Sequence, residues 1–346
     1  MVNSIFYTSD KAEKEAVFNA VAEKKGMTPF AVEKDWWVVQ ALTCIFELED
    51  SVHLVFKGGT SLSKAWGLIE RFSEDVDLAI DRSYLGFEGE LSKNQRTQLR
   101  KKASSYISGE FKEKLTSKFA ERGFKDLVFK LVETKDSDQD PRIIEIYYPN
   151  IIQKPDYLEA RIQIEIGCRS LKEPFTIRPI SSLVDIFYPH MEFALPSIQV
   201  PSVNPERTFL EKIFLLHEEF QRPKEKMRSD RLSRHLYDVV TLAKTVYADK
   251  ALSDQTLYET IVIHRYTFTR ISGVDYNLHQ PKTINSIPSP EVIKEWEKDY
   301  NTMIEQMIYE ENPYSFKEII DSLVALKARI NHLDWEFKQP FPFSSN

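Results

Sequence analysis

Two adjacent glycines draw attention in a chain that has only ten glycines in 346 residues. They begin the run Gly58-Gly59-Thr60-Ser61, which follows the apolar stretch His53-Leu54-Val55-Phe56 and Lys57 and leads into Leu62-Ser63-Lys64. Between a strand and a helix, such a turn lets backbone N–H groups approach a phosphate with no Cβ in the way. The Thr60 and Ser61 hydroxyls add donors, and the helix N-terminus adds positive potential. An ordinary strand-to-helix turn would use the same residues. The next segment, Asp75-Val76-Asp77, shifts the balance. Residues two apart on a strand share a face, so the two carboxylates stand side by side while Val76 faces the core. Like charges held together at a core-flanking strand are costly unless a cation lies between them. A hard divalent ion such as Mg²⁺, which takes oxygen ligands and also binds nucleotide phosphates, meets that need.

A two-metal site calls for a third carboxylate from a neighbouring strand. Glu165 is the preferred candidate: in Arg161-Ile162-Gln163-Ile164-Glu165-Ile166 the isoleucines face one side, and Glu165 lies on the polar one. Glu145, in Ile144-Glu145-Ile146, is the competitor. Further along, Lys212 interrupts an apolar face formed by Phe209, Ile213 and Leu216. It is placed either to meet a triphosphate as a point charge or to snorkel from a helix. Arg234 and Asp238 stand four apart and can pair on one helix face. His217 and His235, each beside apolar residues, read as structural histidines more readily than as ligands.

These residues need elements to hold them. Helices are expected over 10–26 and, from a Thr28 cap with Pro29 in the first turn, to about Phe46. A strand over 53–56 should enter the glycine turn, with a helix over 62–69 and a strand over 76–80. Residues 91–122 read as a long polar helix or helical pair with Gly109 in its middle. Strands are expected over 142–148 and 160–166. The proline-rich stretch 171–204 reads as irregular connection, with a short helix over 181–187. From an Asn204 cap the pattern is helical: 205–220, 231–247, 252–264, 291–309 and 315–330, with a loop at 271–290. The expected organisation is a mixed α/β lobe over residues 1–200 and a helical lobe over 201–346.

Net charge is −7, which by itself argues against a nucleic-acid partner, but its distribution is uneven. Residues 91–125 carry a local charge of +7 and residues 221–235 one of +4. An acidic body with basic faces can still hold a polyanion, because contact depends on local potential; solvated helix faces are the plainer reading. Cys44 and Cys168 show no metal-ligand spacing and suit a reducing compartment. The N-terminus lacks the basic flank and apolar stretch of a signal peptide. No apolar run reaches the roughly 18 residues needed to span a membrane. A cytoplasmic protein with no membrane association is expected.

The runs Lys57–Lys64, Arg71-Phe72-Ser73-Glu74-Asp75-Val76-Asp77-Leu78, Glu206–Lys212, Leu216-His217 and Arg234-His235-Leu236-Tyr237-Asp238 together resemble the nucleotidyltransferase AbiEii/AbiGii toxin family, whose relatives include the MenT toxins. Val32-Glu33-Lys34-Asp35-Trp36-Trp37 looks like that family's N-terminal helix. The resemblance spans residues 32 to about 245, in order; beyond about 250 nothing matches. It implies an α+β fold, a polymerase β-like nucleotidyltransferase mixed sheet with flanking helices followed by a helical C-terminal lobe that completes the active-site cleft. It implies that Lys57, Gly58, Gly59, Thr60, Ser61 and Lys64 bind the nucleotide, that Asp75 and Asp77 bind Mg²⁺, and that Lys212 and Asp238 act in catalysis or phosphate binding.

The expected reaction is transfer of a nucleoside monophosphate from a nucleoside triphosphate to RNA. The 3′ end of tRNA is the first choice of acceptor, in a type IV-like toxin–antitoxin or abortive-infection (phage-defence) system with a cognate antitoxin. Two Mg²⁺ ions on Asp75, Asp77 and Glu165 would serve it, with Lys212 at the leaving pyrophosphate. Arg96, Arg100, Lys101, Lys102, Arg231 and Arg234 are the candidate RNA contacts. The alternatives are a protein side chain as acceptor, or a nucleotide-binding interaction module without catalysis.

Overall fold

The computed structural model describes residues 5–342 apart from 74, 134–138, 154–158 and 170–173. By its internal contacts the chain divides into two units, Met1–Gly67 with Phe72–Val203, and Leu68–Arg71 with Asn204–Asn346.

The first unit runs α1 (Ile5–Thr8), α2 (Lys11–Lys25), α3 (Pro29–Phe46), β1 (Leu54–Lys57), α4 (Gly58–Lys64), β2 (Asp75–Ile80), α5 (Lys93–Tyr106), α6 (Lys112–Glu121), β3 (Val128–Leu131), β4 (Arg142–Tyr147), β5 (Arg161–Gly167), β6 (Phe175–Ile180), α7 (Leu183–Phe187) and β7 (Ile198–Val203). Its strands form one mixed sheet in the order β3-β4-β5-β2-β1-β7-β6. β2 runs antiparallel to β1 and parallel to β5, the two strands that flank it. Alternation decides which face is core. Val76 and Leu78 of β2, Ile162, Ile164 and Ile166 of β5, and Ile144 and Ile146 of β4 are fully buried, and α3 packs on β2 and β5. The residues between them, Asp75, Asp77, Gln163, Glu165 and Glu145, take the opposite face.

Several expected elements differ in detail. Thr28 caps α3 as expected, accepting from Ala31 N, and Gly26 ends α2 in the left-handed region at φ 66°. The helix expected over 62–69 starts at Gly58 itself and stops at Lys64. The long helix over 91–122 is broken by a π-helical turn at Ile107–Phe111, around Gly109. The stretch read as irregular, 171–204, contains two paired strands, β6 and β7, besides the short helix α7. Pro179 and Pro201 hid them, since proline inside a strand argues against one; β6 is the edge strand, where proline is tolerated, and β7 lies between it and β1, registered to β1 at Ser202. β3, the opposite edge, was also missed: it is four residues long and its side chains are exposed or half-buried.

The second unit contains α8 (Pro205–Glu219), α9 (Ser233–Leu242), α10 (Val246–Ala251), α11 (Gln255–Phe268), α12 (Ile293–Met307) and α13 (Phe316–Asn331). The helix expected over 231–247 is two, α9 and α10. α8, packed against α9, α10 and α11, supplies its core with Phe209, Leu210, Ile213, Phe214 and Leu216, all fully buried. α9 lacks a cap of its own; Asp299 of α12 accepts from Arg231 N and Ser233 N, satisfying donors at its start.

Candidate active site

β1 delivers the chain to Gly58, whose φ of 76° is one that residues with a Cβ rarely adopt. The reason for glycine here is also steric. A Cβ built at Gly58 would lie 2.0 Å from Asp77 Oδ2, so the Asp77 carboxylate occupies the space a side chain would take. The glycine turn and the acidic strand are therefore packed against one another. Lys57 is the register partner of Asp77 across the β1–β2 pair. Ser61, 2% exposed, has its Oγ buried without a hydrogen-bond partner among the described residues. An unsatisfied buried hydroxyl costs free energy and calls for a ligand or water to complete it.

Thr60 is placed differently from its neighbour. Its hydroxyl lies 2.5 Å from the Asp75 carbonyl and 2.9 Å from Ser73 Oγ. Lys64, at the far end of α4, donates to Asp35 at 2.6 Å, and Asp35 also accepts from Leu183 N at 2.7 Å. Of the six residues expected at the nucleotide, then, Gly58 and Ser61 present a close-approach backbone and an unpaired hydroxyl. The Thr60 and Lys64 polar atoms already have protein partners.

Asp75 and Asp77 stand on the polar face of β2, and the register pairs Asp77 with Glu165 and Asp75 with Gln163. Glu165 Oε1 accepts from Gln163 Nε2 at 2.6 Å. Glu145 lies one strand further away on β4, tied to Arg161 at 3.1 Å and to the Tyr147 hydroxyl at 2.8 Å. Between the two glutamates, only Glu165 adjoins β2. Three carboxylates on one face give the hard oxygen donors that Mg²⁺ prefers. Among the described residues no three acidic, histidine or cysteine side chains converge as they stand on a common metal position. The set thus fits a divalent cation in type and face, with the side chains not drawn together.

In the second unit, Asp238 is fully buried and accepts from Arg71 Nε and Nη2, each at 2.7 Å, and from Lys212 Nζ at 2.8 Å. Burial would raise the Asp238 pKa, but the two cations hold its carboxyl well below the usual carboxylate range. Burial lowers that of Lys212, against the pull of Asp238. Lys212 also lies 3.3 Å from His235 Nδ1, and burial together with Lys212 keeps this imidazole neutral. The i, i+4 partner expected for Asp238 was Arg234; its partners are Arg71 and Lys212, and Arg234 Nε is buried without a hydrogen bond. A two-nitrogen contact from a planar guanidinium outcompetes a helix-face pair. His217 is structural: its Nδ1 accepts from Asn285 N at 3.0 Å.

Sequence reasoning missed two residues. Arg71 was quoted in a motif but given no role. Asp35 stands likewise in the quoted Val32–Trp37 run without a role, although Glu33-Lys34-Asp35 within the otherwise apolar α3 is a legible signal. All three are buried and engaged: Glu33 accepts from Ile151 N and Ile152 N, and Lys34 donates to Glu159 O.

The basic segments differ in the contacts their cations make. On α6 and just past it, Lys114 pairs with Asp50 and Glu110, Lys118 with Glu121 and Arg122 with Glu47. On α5, Arg96 Nη1 donates to Leu91 O, Arg100 Nη2 to Thr97 Oγ1, and Lys101 and Lys102 are exposed. In residues 221–235, Arg222 and Arg228 both pair with Glu219. Arg231 adopts φ 57° and its backbone is held by Asp299.

The sequence model of the family described as nucleotidyl transferase AbiEii toxin, type IV toxin–antitoxin system, matches residues 40–322. No curated protein matches the chain significantly. Among solved structures it is similar to MenT4, the nucleotidyltransferase toxin Rv2826c from Mycobacterium tuberculosis H37Rv, at 15% identity over 90% of this chain and 96% of that one, with a TM-score of 0.44. It is also similar to JHP933 from Helicobacter pylori, at 15% identity over 84% and 89%, with a TM-score of 0.38.

Proposed function

The chain belongs to the AbiEii nucleotidyltransferase toxin family, and from that premise we propose that it transfers a nucleoside monophosphate from a nucleoside triphosphate to RNA, at the 3′ end of tRNA, in a Mg²⁺-dependent reaction that an antitoxin counters. The observation that carries the reading is the packing of the Gly58 turn against the Asp77 carboxylate, which brings the glycine turn and the acidic pair together.

In this reading the triphosphate lies on the Gly58–Ser61 backbone, and the unpartnered Ser61 hydroxyl donates to a phosphate oxygen. Asp75 and Asp77 would hold Mg²⁺, with Glu165 as a further ligand or as the base. Bound there, Mg²⁺ would supply neutralisation of phosphate charge and a lowered pKa for the acceptor hydroxyl. The acceptor oxygen forms a bond to the α-phosphorus as the bond from that phosphorus to the α–β bridging oxygen breaks. Pyrophosphate leaves, and the hydroxyl proton passes to Glu165 and on to solvent. The protein does little covalent chemistry; it orients the reactants and fixes charges where the transition state needs them.

What favours RNA as the acceptor is α5, where Lys101 and Lys102 are exposed and stand with Arg96 and Arg100 on one helix. The test is incubation of the purified protein with Mg²⁺, each α-labelled nucleoside triphosphate, tRNA and cell-extract protein, beside Asp77→Asn. Label on tRNA, abolished in the variant, is the expected result. Label on a protein band would overturn the acceptor, and undiminished transfer by Asp77→Asn would overturn the site.

A further inference from the structure

Two neighbouring hydroxyls in the glycine turn, Thr60 and Ser61, differ in what they have left to offer. Ser61 Oγ is buried and without a partner. Thr60, 1% exposed, touches both the Asp75 carbonyl and Ser73 Oγ. A hydroxyl has one proton. The carbonyl can only accept, so Thr60 donates to Asp75 O and the Ser73 hydroxyl donates to Thr60. The chain of donation runs from Ser73 to Thr60 to the Asp75 peptide. Thr60 therefore has no proton for a phosphate oxygen unless it releases Asp75.

The sheet register explains why Asp75 needs this partner. The β1–β2 pairing ends at Lys57 and Asp77, so Asp75 extends beyond the end of β1. Its backbone pairs with Gln163 on the β5 side, and on the other side the register with β1 stops short of it. The first turn of α4 takes the place of the missing strand, and Thr60 supplies the donor. We propose that Thr60 is a positioning residue of the transfer site, fixing the Asp75 peptide so that the Asp75 and Asp77 carboxylates hold one orientation, while Ser61 alone of the two hydroxyls serves the phosphate. This rests on the nucleotidyl-transfer reading and deepens it.

The experiment compares Thr60→Val, which keeps the shape and removes the donor, with Thr60→Ser, Ser61→Ala and Asp77→Asn, measuring labelled-nucleotide transfer across a Mg²⁺ titration. Separately and without turnover, it measures Mg²⁺ affinity by calorimetry, which should fall in Thr60→Val and not in Ser61→Ala. Loss of a carboxylate's alignment is expected to lower kcat about 100-fold in Thr60→Val, in line with the cost of roughly 1 Å of misplacement. It should also raise the Mg²⁺ concentration needed, with the KM for nucleotide little changed. Thr60→Ser should restore both, whereas Ser61→Ala should raise KM. Thr60→Val with parental kcat and Mg²⁺ dependence, or with the KM defect of Ser61→Ala, overturns the proposal. Should Thr60→Val fail to fold, Ser73→Ala weakens the same chain from its far end and must shift the Mg²⁺ titration in the same direction; an unmoved titration counts against the proposal. Transfer that survives in Asp77→Asn would sink the underlying reading instead.

Discussion

Gly58 is where local backbone and site chemistry meet. A side chain there would face a left-handed backbone penalty of about 1–2 kcal/mol, and its Cβ would collide with Asp77 Oδ2. Either the turn or the acid must move. Gly58→Ala is expected to reduce transfer at least about 100-fold, a loss a steady-state assay reads directly. Gly89→Ala, also at positive φ but with open space around a new Cβ, serves as the strain-only control and should keep near-parental activity. The Asp238 cluster differs in kind. A buried carboxylate with two cationic partners is weak evidence for net stabilisation, yet removing one partner from such a cluster typically costs about 3–5 kcal/mol. Arg71 and Lys212 are thus bound to Asp238 in stability, whatever else they do.

At the scale of elements, α5 carries five cations and α6 three, with Arg122 just past its end, and ion pairs engage α6 and Arg122. Lys114, Lys118 and Arg122 are matched by Asp50, Glu110, Glu121 and Glu47. Their local field is largely cancelled, while on α5 Lys101 and Lys102 are exposed to solvent. Replacing Arg96, Arg100, Lys101 and Lys102 by Glu should weaken tRNA binding and flatten its salt dependence, since each lost phosphate contact takes about 0.7–0.9 from the log–log slope. The same change at Lys114, Lys118 and Arg122 should leave that slope near its starting value. A filter-binding series over salt concentration checks both, and equal effects from the two helices would refute the assignment to α5.

At the scale of the whole molecule, acid acts in opposite directions on the two units. In the helical unit, burial lowers the His217 pKa to about 3 from an ordinary 6.5. For Glu218, burial acts upward, but Arg265 and His279 outweigh it and bring the carboxyl to about 2 from 4.5. Both folded values lie below the unfolded ones. Their stabilisation is complete above about 6.5 and is lost as pH falls through the window down to about 2–3. In the first unit, burial raises Glu33 to about 7 from 4.5. Its contribution is therefore complete below 4.5 and is lost as pH rises through 7. Hydrogen exchange followed separately in each unit should show protection of the helical unit falling on acidification. Protection around α3 should fall between 4.5 and 7 as pH rises, and Glu33→Gln should remove that second trend. A first unit insensitive to pH in both proteins would contradict it.

The sequence alone made β2 and its face legible, because a two-residue alternation of acid and valine has one reading beside a buried sheet. It also gave the Thr28 cap, the Gly26 stop and the glycine turn, since each depends on the intrinsic geometry of the residues that form it. What it could not decide were properties that depend on neighbours distant in sequence. β3 and β6 are edge strands and β7 lies next to β6; each is short or proline-bearing and is defined by pairing rather than by pattern. Arg71 in place of Arg234 beside Asp238 was settled by a contact across 167 residues, and Glu165 over Glu145 beside β2 by strand order. The hydroxyls of Thr60 and Ser61, alike in donor chemistry and adjacent in sequence, differ in their partners only through the tertiary structure, which sets Thr60 against the Asp75 carbonyl and leaves Ser61 Oγ buried without a partner among the described residues.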